Sequence, residues 1–135
     1  MSFWQCYYHV IWATKNRQPL IKPNYETALF SIIANKTARL KCSLWAINGM
    51  PDHLHVAVSI PPSMAVAQWV SQVKGVSSHL LNTQFAPTPR FVWQENYGVM
   101  SFGKRNLEQV VAYVNGQKEH HANNTMNRWL ELIDE

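Results

Sequence analysis

The chain has 135 residues, 47% of them hydrophobic and only 15% charged, which excludes a disordered or coiled-coil protein and suits one domain, residues 1–135, with its own core. Its net charge is +4, but three of its eight acids (Glu131, Asp134 and Glu135) fall in the last five residues, so residues 1–130 carry 12 bases against 5 acids, an excess that favours an anionic partner, nucleic acid first. Cys6 and Cys42 are too few for a disulfide scaffold, no run approaches the roughly 20 apolar residues of a membrane span, and the first base, Lys15, follows the N-terminal apolar run instead of leading it as in a signal peptide; a reducing cytoplasm is the expected compartment. In chain order, residues 3–14 are aromatic and β-branched and read as a long strand, which runs into a basic turn, Lys15-Asn16-Arg17-Gln18-Pro19. Pro23-Asn24 opens a helix, and Tyr25, Leu29, Ile32, Ile33 and Leu40 keep helical spacing to about Lys41.

Residues 43–48 read as a second strand, Gly49-Met50-Pro51-Asp52 as a hairpin turn, and residues 54–60 as a third strand that Pro61 and Pro62 stop. Ser63 is placed to cap the next helix, whose apolar stripe is Val66, Trp69, Val70, Val73, Val76, Leu80 and Leu81; Gln72, Lys74, Ser77 and Ser78 fall on its other face. After a proline-containing loop, residues 91–102 read as a fourth strand, broken near Asn96-Tyr97-Gly98. Asn106, with Gln109 three residues on as in a capping box, starts a last helix that runs to about His121, and one more helical turn is expected around residues 129–133. Strand, helix, strand, strand, helix, strand, helix is the split β-α-β order of a ferredoxin-like (RRM-like) α+β sandwich: a four-stranded antiparallel sheet with helices on one face plus a C-terminal helix.

The chemistry centres on Pro51-Asp52-His53-Leu54-His55-Val56. Alternate strand residues share a face, so His53 and His55 stand side by side while Leu54 points the other way, and two such imidazoles make half a metal site. On the last helix Tyr113 and Gln117 are one turn apart at the edge of the stripe formed by Leu107, Val110, Val111 and Val114, and His120 continues their line as a possible supporting residue. A glutamine oxygen can complete a His53, His55 and Gln117 set for Mg²⁺ or Mn²⁺, with imidazole favouring Mn²⁺. A tyrosine beside a metal-held phosphate could attack it and become a phosphotyrosine. Each residue also has an ordinary reading: a packed or surface His-x-His, a core tyrosine, a solvated glutamine, and His120 and His121 interacting with the helix dipole. Lys15, Arg17, Lys74, Lys104 and Arg105 are candidate DNA contacts or an ordinary solubilising surface.

Tyr8-His9-Val10-Ile11-Trp12-Ala13-Thr14-Lys15-Asn16-Arg17, Met50-Pro51-Asp52-His53-Leu54-His55-Val56, Ser101-Phe102-Gly103 and Tyr113-Val114-Asn115-Gly116-Gln117-Lys118-Glu119-His120-His121 together resemble the single-tyrosine HUH transposases of small insertion sequences that move as single-stranded DNA, and the related REP-associated tyrosine transposases. The resemblance implies a homodimer in a bacterial or archaeal cytoplasm, with no membrane partner. It implies a divalent metal on His53, His55 and Gln117, and Tyr113 as a nucleophile that forms a 5′-phosphotyrosine and frees a 3′-hydroxyl. Hairpins at element ends would be cut and rejoined, with the tyrosine helix serving its own or the partner's histidines. REP-associated members often continue further after this helix, which favours the insertion-sequence branch. The alternatives are a domesticated REP-associated enzyme and a non-catalytic module that binds nucleic-acid hairpins, for which the RNA-recognition likeness of the fold is the basis.

Overall fold

The computed structural model describes residues 2–133, so Asp134 and Glu135 of the acidic tail lie outside the described residues. Its sheet comprises β1 (Tyr7–Ala13), β2 (Ser43–Met50), β3 (His53–Ser59) and β4 (Gly98–Phe102), all antiparallel in the order β2-β3-β1-β4. Two long helices, α1 (Pro23–Arg39) and α2 (Val66–Phe85), pack against one face. Their stripes, with Leu29, Ile33, Trp69, Val70, Val73 and Leu81, close over Val10 and Trp12 of β1 and Leu54, Val56 and Val58 of β3. Trp12 lies at the centre of this core, fully buried, with Trp69 and Trp93 edge-on to it at 5.9 and 5.7 Å between ring centroids. Trp12→Ala is expected to lower unfolding stability by about 3–5 kcal/mol in urea titration, because so large a void cannot collapse.

The residues of opposite parity point to the second face, and that face is covered too. Ala57 of β3 and Ala46 of β2 meet Val110 and Val114 of α3 (Leu107–Asn115), while Ile11 and Ala13 of β1 meet Ile133 of the C-terminal segment. Every residue of β3 is therefore buried, and His53 and His55 face the layer between the sheet and the last helices. A bulge between Leu44 and Ala46 inserts Trp45, which lets Leu44 and Ile47 reach the first core while Ala46 turns to the second.

Several expectations are corrected. The first strand is shorter than residues 3–14, and residues 2–6 lie outside it. Ser63 does not cap α2: Met64 N–H donates to the Pro61 carbonyl at 3.0 Å, a turn that delays the helix to Val66, with Ala65 in the cap position. Ser77, set with the polar residues opposite the stripe, is fully buried, and the Trp93 indole N–H donates to its Oγ at 2.9 Å. The fourth strand is confined to Gly98–Phe102; upstream, Lys74 Nζ draws in the carbonyls of Gln94, Glu95 and Asn96 at 2.7, 3.2 and 3.0 Å, leaving a single bridge between Thr14 and Trp93. Asn106 holds the cap position of α3 without a side-chain capping bond. The last helix breaks at Gly116 into α3 and α4 (Gln117–Asn123), yet bonds from Gly116 N to Ala112 O (3.0 Å) and from His120 N to Gly116 O (2.8 Å) carry the axis through. The final turn is a 3-10 turn, Arg128–Leu130.

Candidate active site

Strand β3 supplies the two histidines, and each is held from behind. His53 Nδ1 lies 2.7 Å from Asp52 Oδ1, and the Asp52 carboxylate is itself gripped by Arg17 Nε at 3.3 Å. His55 Nδ1 lies 2.8 Å from Nε2 of His9, a fully buried residue on β1. Both Nε2 atoms therefore point the same way, into the layer beneath α3 and α4. His53 Nε2 is buried there without a hydrogen-bond partner among the described residues.

The C-terminal elements complete the site. Tyr113 of α3 stands edge-on beside His55, with 6.0 Å between ring centroids, and His120 stacks on Tyr113 at 4.6 Å with 22° between planes. The Tyr113 hydroxyl donates to Glu131 Oε2 and accepts from the Asn127 backbone N–H at 2.8 Å. Gln117 is fully buried, with its Oε1 at 3.1 Å from His121 Nε2; His121 in turn packs its ring 4.9 Å from that of His53. Glu131 Oε1 reaches His55 Nε2 at 3.1 Å and both His53 Nε2 and His121 Nε2 at 3.5 Å. His53, His55, His121 and Glu131 thus form a group that could hold a metal ion, their ligand atoms all within 4.8 Å of one another.

Burial and the neighbouring charges shift the titration of this cluster. Burial lowers His9 to about 3, and it lowers His55 and His121 below the usual imidazole value despite the opposing pull of Glu131. Burial alone would raise Glu131, but the surrounding His53 and His55 imidazoles and the Tyr113 hydroxyl override it and hold the carboxyl far below the carboxylate range. Burial, reinforced by the Glu131 carboxylate, pushes the Tyr113 phenol up to about 12.

The structure thus brings Tyr113, His53, His55 and Gln117 together within one chain. His120 serves Tyr113 rather than the histidine pair, and its Nδ1 is 3.0 Å from Thr125 Oγ1. Of the basic residues, Arg17 borders the centre, in a cleft lined by Asp52, His53 and His121. Lys15, Lys104 and Arg105 are exposed, whereas the Lys74 ammonium is taken up by backbone carbonyls and burial pulls it down to about 8. Sequence reasoning missed His9, His121 and Glu131 as site residues. His121 had a signal, since it follows Gln117 by one helical turn; His9 and Glu131 had none, being set by strand pairing and by the course of the C-terminal segment.

The model for "Transposase IS200 like" proteins matches residues 2–117. The transposase for insertion sequence element IS200 of Salmonella typhimurium is 29% identical over 121 residues, covering 86% of this chain and 79% of that protein. The ISDra2 transposase TnpA of Deinococcus radiodurans is 23% identical over 121 residues, 86% of each chain. Two solved structures share the fold: a candidate transposase from Deinococcus radiodurans (TM-score 0.69, 23% identity, 87% of this chain and 95% of the other) and a REP-associated tyrosine transposase bound to a REP hairpin (TM-score 0.67, 14% identity, 90% of this chain and 74% of the other). Because the family model spans well over half of its length, the chain belongs to the IS200-like transposases.

Proposed function

We propose that this transposase is a metal-dependent single-strand DNA endonuclease and strand transferase with Tyr113 as its nucleophile. The observation that carries the reading is the placement of Tyr113 beside the histidine pair, 6.0 Å from His55 between ring centroids, in a family whose members are transposases. His53 and His55, with Nε2 directed inward, and Gln117 would hold a divalent cation, Mn²⁺ or Mg²⁺; the unpartnered His53 Nε2 fits such a ligand. When bound, the cation supplies Lewis-acid polarisation of the scissile phosphate and neutralises its charge.

In the proposed step the Tyr113 oxygen attacks phosphorus as its proton leaves. The bond from phosphorus to the 3′ oxygen breaks, and that oxygen takes up a proton. The products are a 5′-phosphotyrosine and a free 3′-hydroxyl, and attack by a 3′-hydroxyl on the phosphotyrosine rejoins a strand. His120, stacked on Tyr113, keeps the phenol ring from swinging out of line. Arg17, tied to Asp52 at the rim of the centre, is the basic side chain best placed for the flanking phosphate backbone, with Lys15, Lys104 and Arg105 further out. The hairpin held by the REP-associated neighbour supports folded single-stranded ends as the substrate. Pairing of two copies is part of the proposal; β4 offers a sheet edge unpaired among the described residues, on which Val99 and Met100 are exposed.

The test is incubation with labelled single strands from both flanks of the gene plus Mn²⁺. A covalent adduct that survives denaturation is the expected result; hairpin binding with no adduct and no dependence on metal means a binding module instead. His9 gives a subsidiary prediction. It shares one hydrogen with His55 and so fixes which nitrogen of His55 keeps its lone pair facing the centre. His9→Leu is expected to weaken Mn²⁺ binding by about 10–100-fold in calorimetric titration, with His9→Gln, which keeps an acceptor, closer to wild type.

A further inference from the structure

Glu131 does more than touch the histidines. An ion bound tetrahedrally at the 2.0–2.2 Å usual for zinc sets neighbouring ligand atoms roughly 3.3–3.6 Å apart. Glu131 Oε1 stands at 3.1 Å from His55 Nε2 and at 3.5 Å from both His53 Nε2 and His121 Nε2, close to three edges of such a tetrahedron. The histidine nitrogens are spread within 4.8 Å, so a bound ion would draw them slightly inward. Two of the rings are already braced from behind, His53 by Asp52 at 2.7 Å and His55 by His9 at 2.8 Å. His53 Nε2, in a side chain only 3% exposed, has no hydrogen-bond partner among the described residues.

The fourth corner is carried on a segment with its own anchorage. The Asn127 N–H donates to the Tyr113 hydroxyl at 2.8 Å, and Ile133 packs on Ile11 and Ala13. The Leu132 carbonyl lies so close to Gly98 that a Cβ there would meet it at 1.9 Å. His121 and Glu131 both fall after residue 117, where the match to the family model ends.

We propose that His53, His55, His121 and Glu131 form a closed, four-coordinate site for a transition-metal ion, with Zn²⁺ the best fit to three imidazoles and one carboxylate, and that this is a resting state of the centre. The proposal rests on the two-histidine metal reading above but uses a different ligand set, with His121 and Glu131 in place of Gln117. A site with four protein ligands leaves no position for substrate, as in structural rather than catalytic zinc sites. The same carboxylate also holds the Tyr113 hydroxyl, so ligand and nucleophile are occupied together. An incoming phosphate must take the place of Glu131, exchanging one anion for another, and doing so releases the phenol.

Co²⁺ is the probe, because tetrahedral Co²⁺ absorbs visible light far more strongly than five- or six-coordinate Co²⁺. Wild-type protein is expected to give intense bands, displaced by Zn²⁺. Glu131→Ala and His121→Ala are expected to lose most of that intensity and to bind Zn²⁺ at least about tenfold more weakly, with their metal-free circular dichroism unchanged. Gly98→Val, which expels the Leu132 carbonyl without touching any ligand, is expected to lose the intensity as well. Wild-type intensity and Zn²⁺ affinity in Glu131→Ala, with both lost in His55→Ala, would overturn the four-ligand site and leave the two-histidine centre standing. Failure of wild type to bind any divalent cation would overturn both.

Discussion

Tyr113→Phe is expected to abolish the covalent protein–DNA adduct and strand cleavage, a loss of at least roughly 10⁴-fold by comparison with other enzymes stripped of their nucleophile, while the same hairpin DNA is still bound. The substitution removes one oxygen and little else. The ring remains stacked on His120, 4.6 Å away, and Val110 and Val114, on the same helix, still seal α3 to the sheet. The bonds lost are those to Glu131 and to the Asn127 N–H, and their absence costs stability on the order of 1–3 kcal/mol. A folded variant with no adduct therefore reports on chemistry. Labelled single strands with Mn²⁺, resolved under denaturing conditions, measure the adduct, and a mobility shift measures binding. An adduct persisting in the variant would move the nucleophile to another residue.

How much of this was legible beforehand follows from which physical signals are local. The alternation around His53 and His55 shows that they share a face, and β3 places them so. The four-residue spacing of Tyr113 and Gln117 puts them one turn apart, and they remain so across the break at Gly116, with Gln117 Nε2 donating to Tyr113 O at 3.4 Å. Periodicity found Tyr25, Leu29 and Ile33 of α1 and most of the buried positions of α2, but it passed over Thr37 and set Ser77 on the face opposite the stripe, because a hydroxyl looks polar until a buried indole N–H reaches it. What no local pattern carries is the partner across a gap. His9 meets His55 through the β1–β3 register, in which Ile11 and not His9 is opposite His55, so the contact is diagonal. Glu131 looks in sequence like one of a few tail acids; only the return of the C-terminal segment across the sheet, against Gly98, makes it part of the centre. The second covered face has the same origin. Alternation identifies His9, Ile11, His53, His55 and Ala57 as one surface, but cannot say that α3 and residue 133 will bury it.

His53→Ala is expected to remove metal-dependent cleavage and to separate the centre's chemistry from its architecture more cleanly than the equivalent change at His55. Taking away the His55 ring leaves the buried His9 imidazole facing a void at the heart of the sheet, which is destabilising in its own right. Taking away His53 leaves Asp52 still paired with Arg17 at 3.3 Å, so the hairpin that carries both histidines keeps its brace. Several kcal/mol of charge stabilisation at the scissile phosphate would go with the cation, a fall in cleavage of roughly 10³-fold. Wild-type protein treated with a chelator is expected to fall to the same level. Added Mn²⁺ is expected to restore the wild type and not the variant, since Asp52 and Glu131 remain but the second imidazole needed to hold an open site does not. Cleavage that resists the chelator, or a variant as active as wild type in limiting Mn²⁺, would sink the metal centre while leaving Tyr113 in place; a nucleophile in that case would have to be served by Arg17 and the neighbouring bases alone.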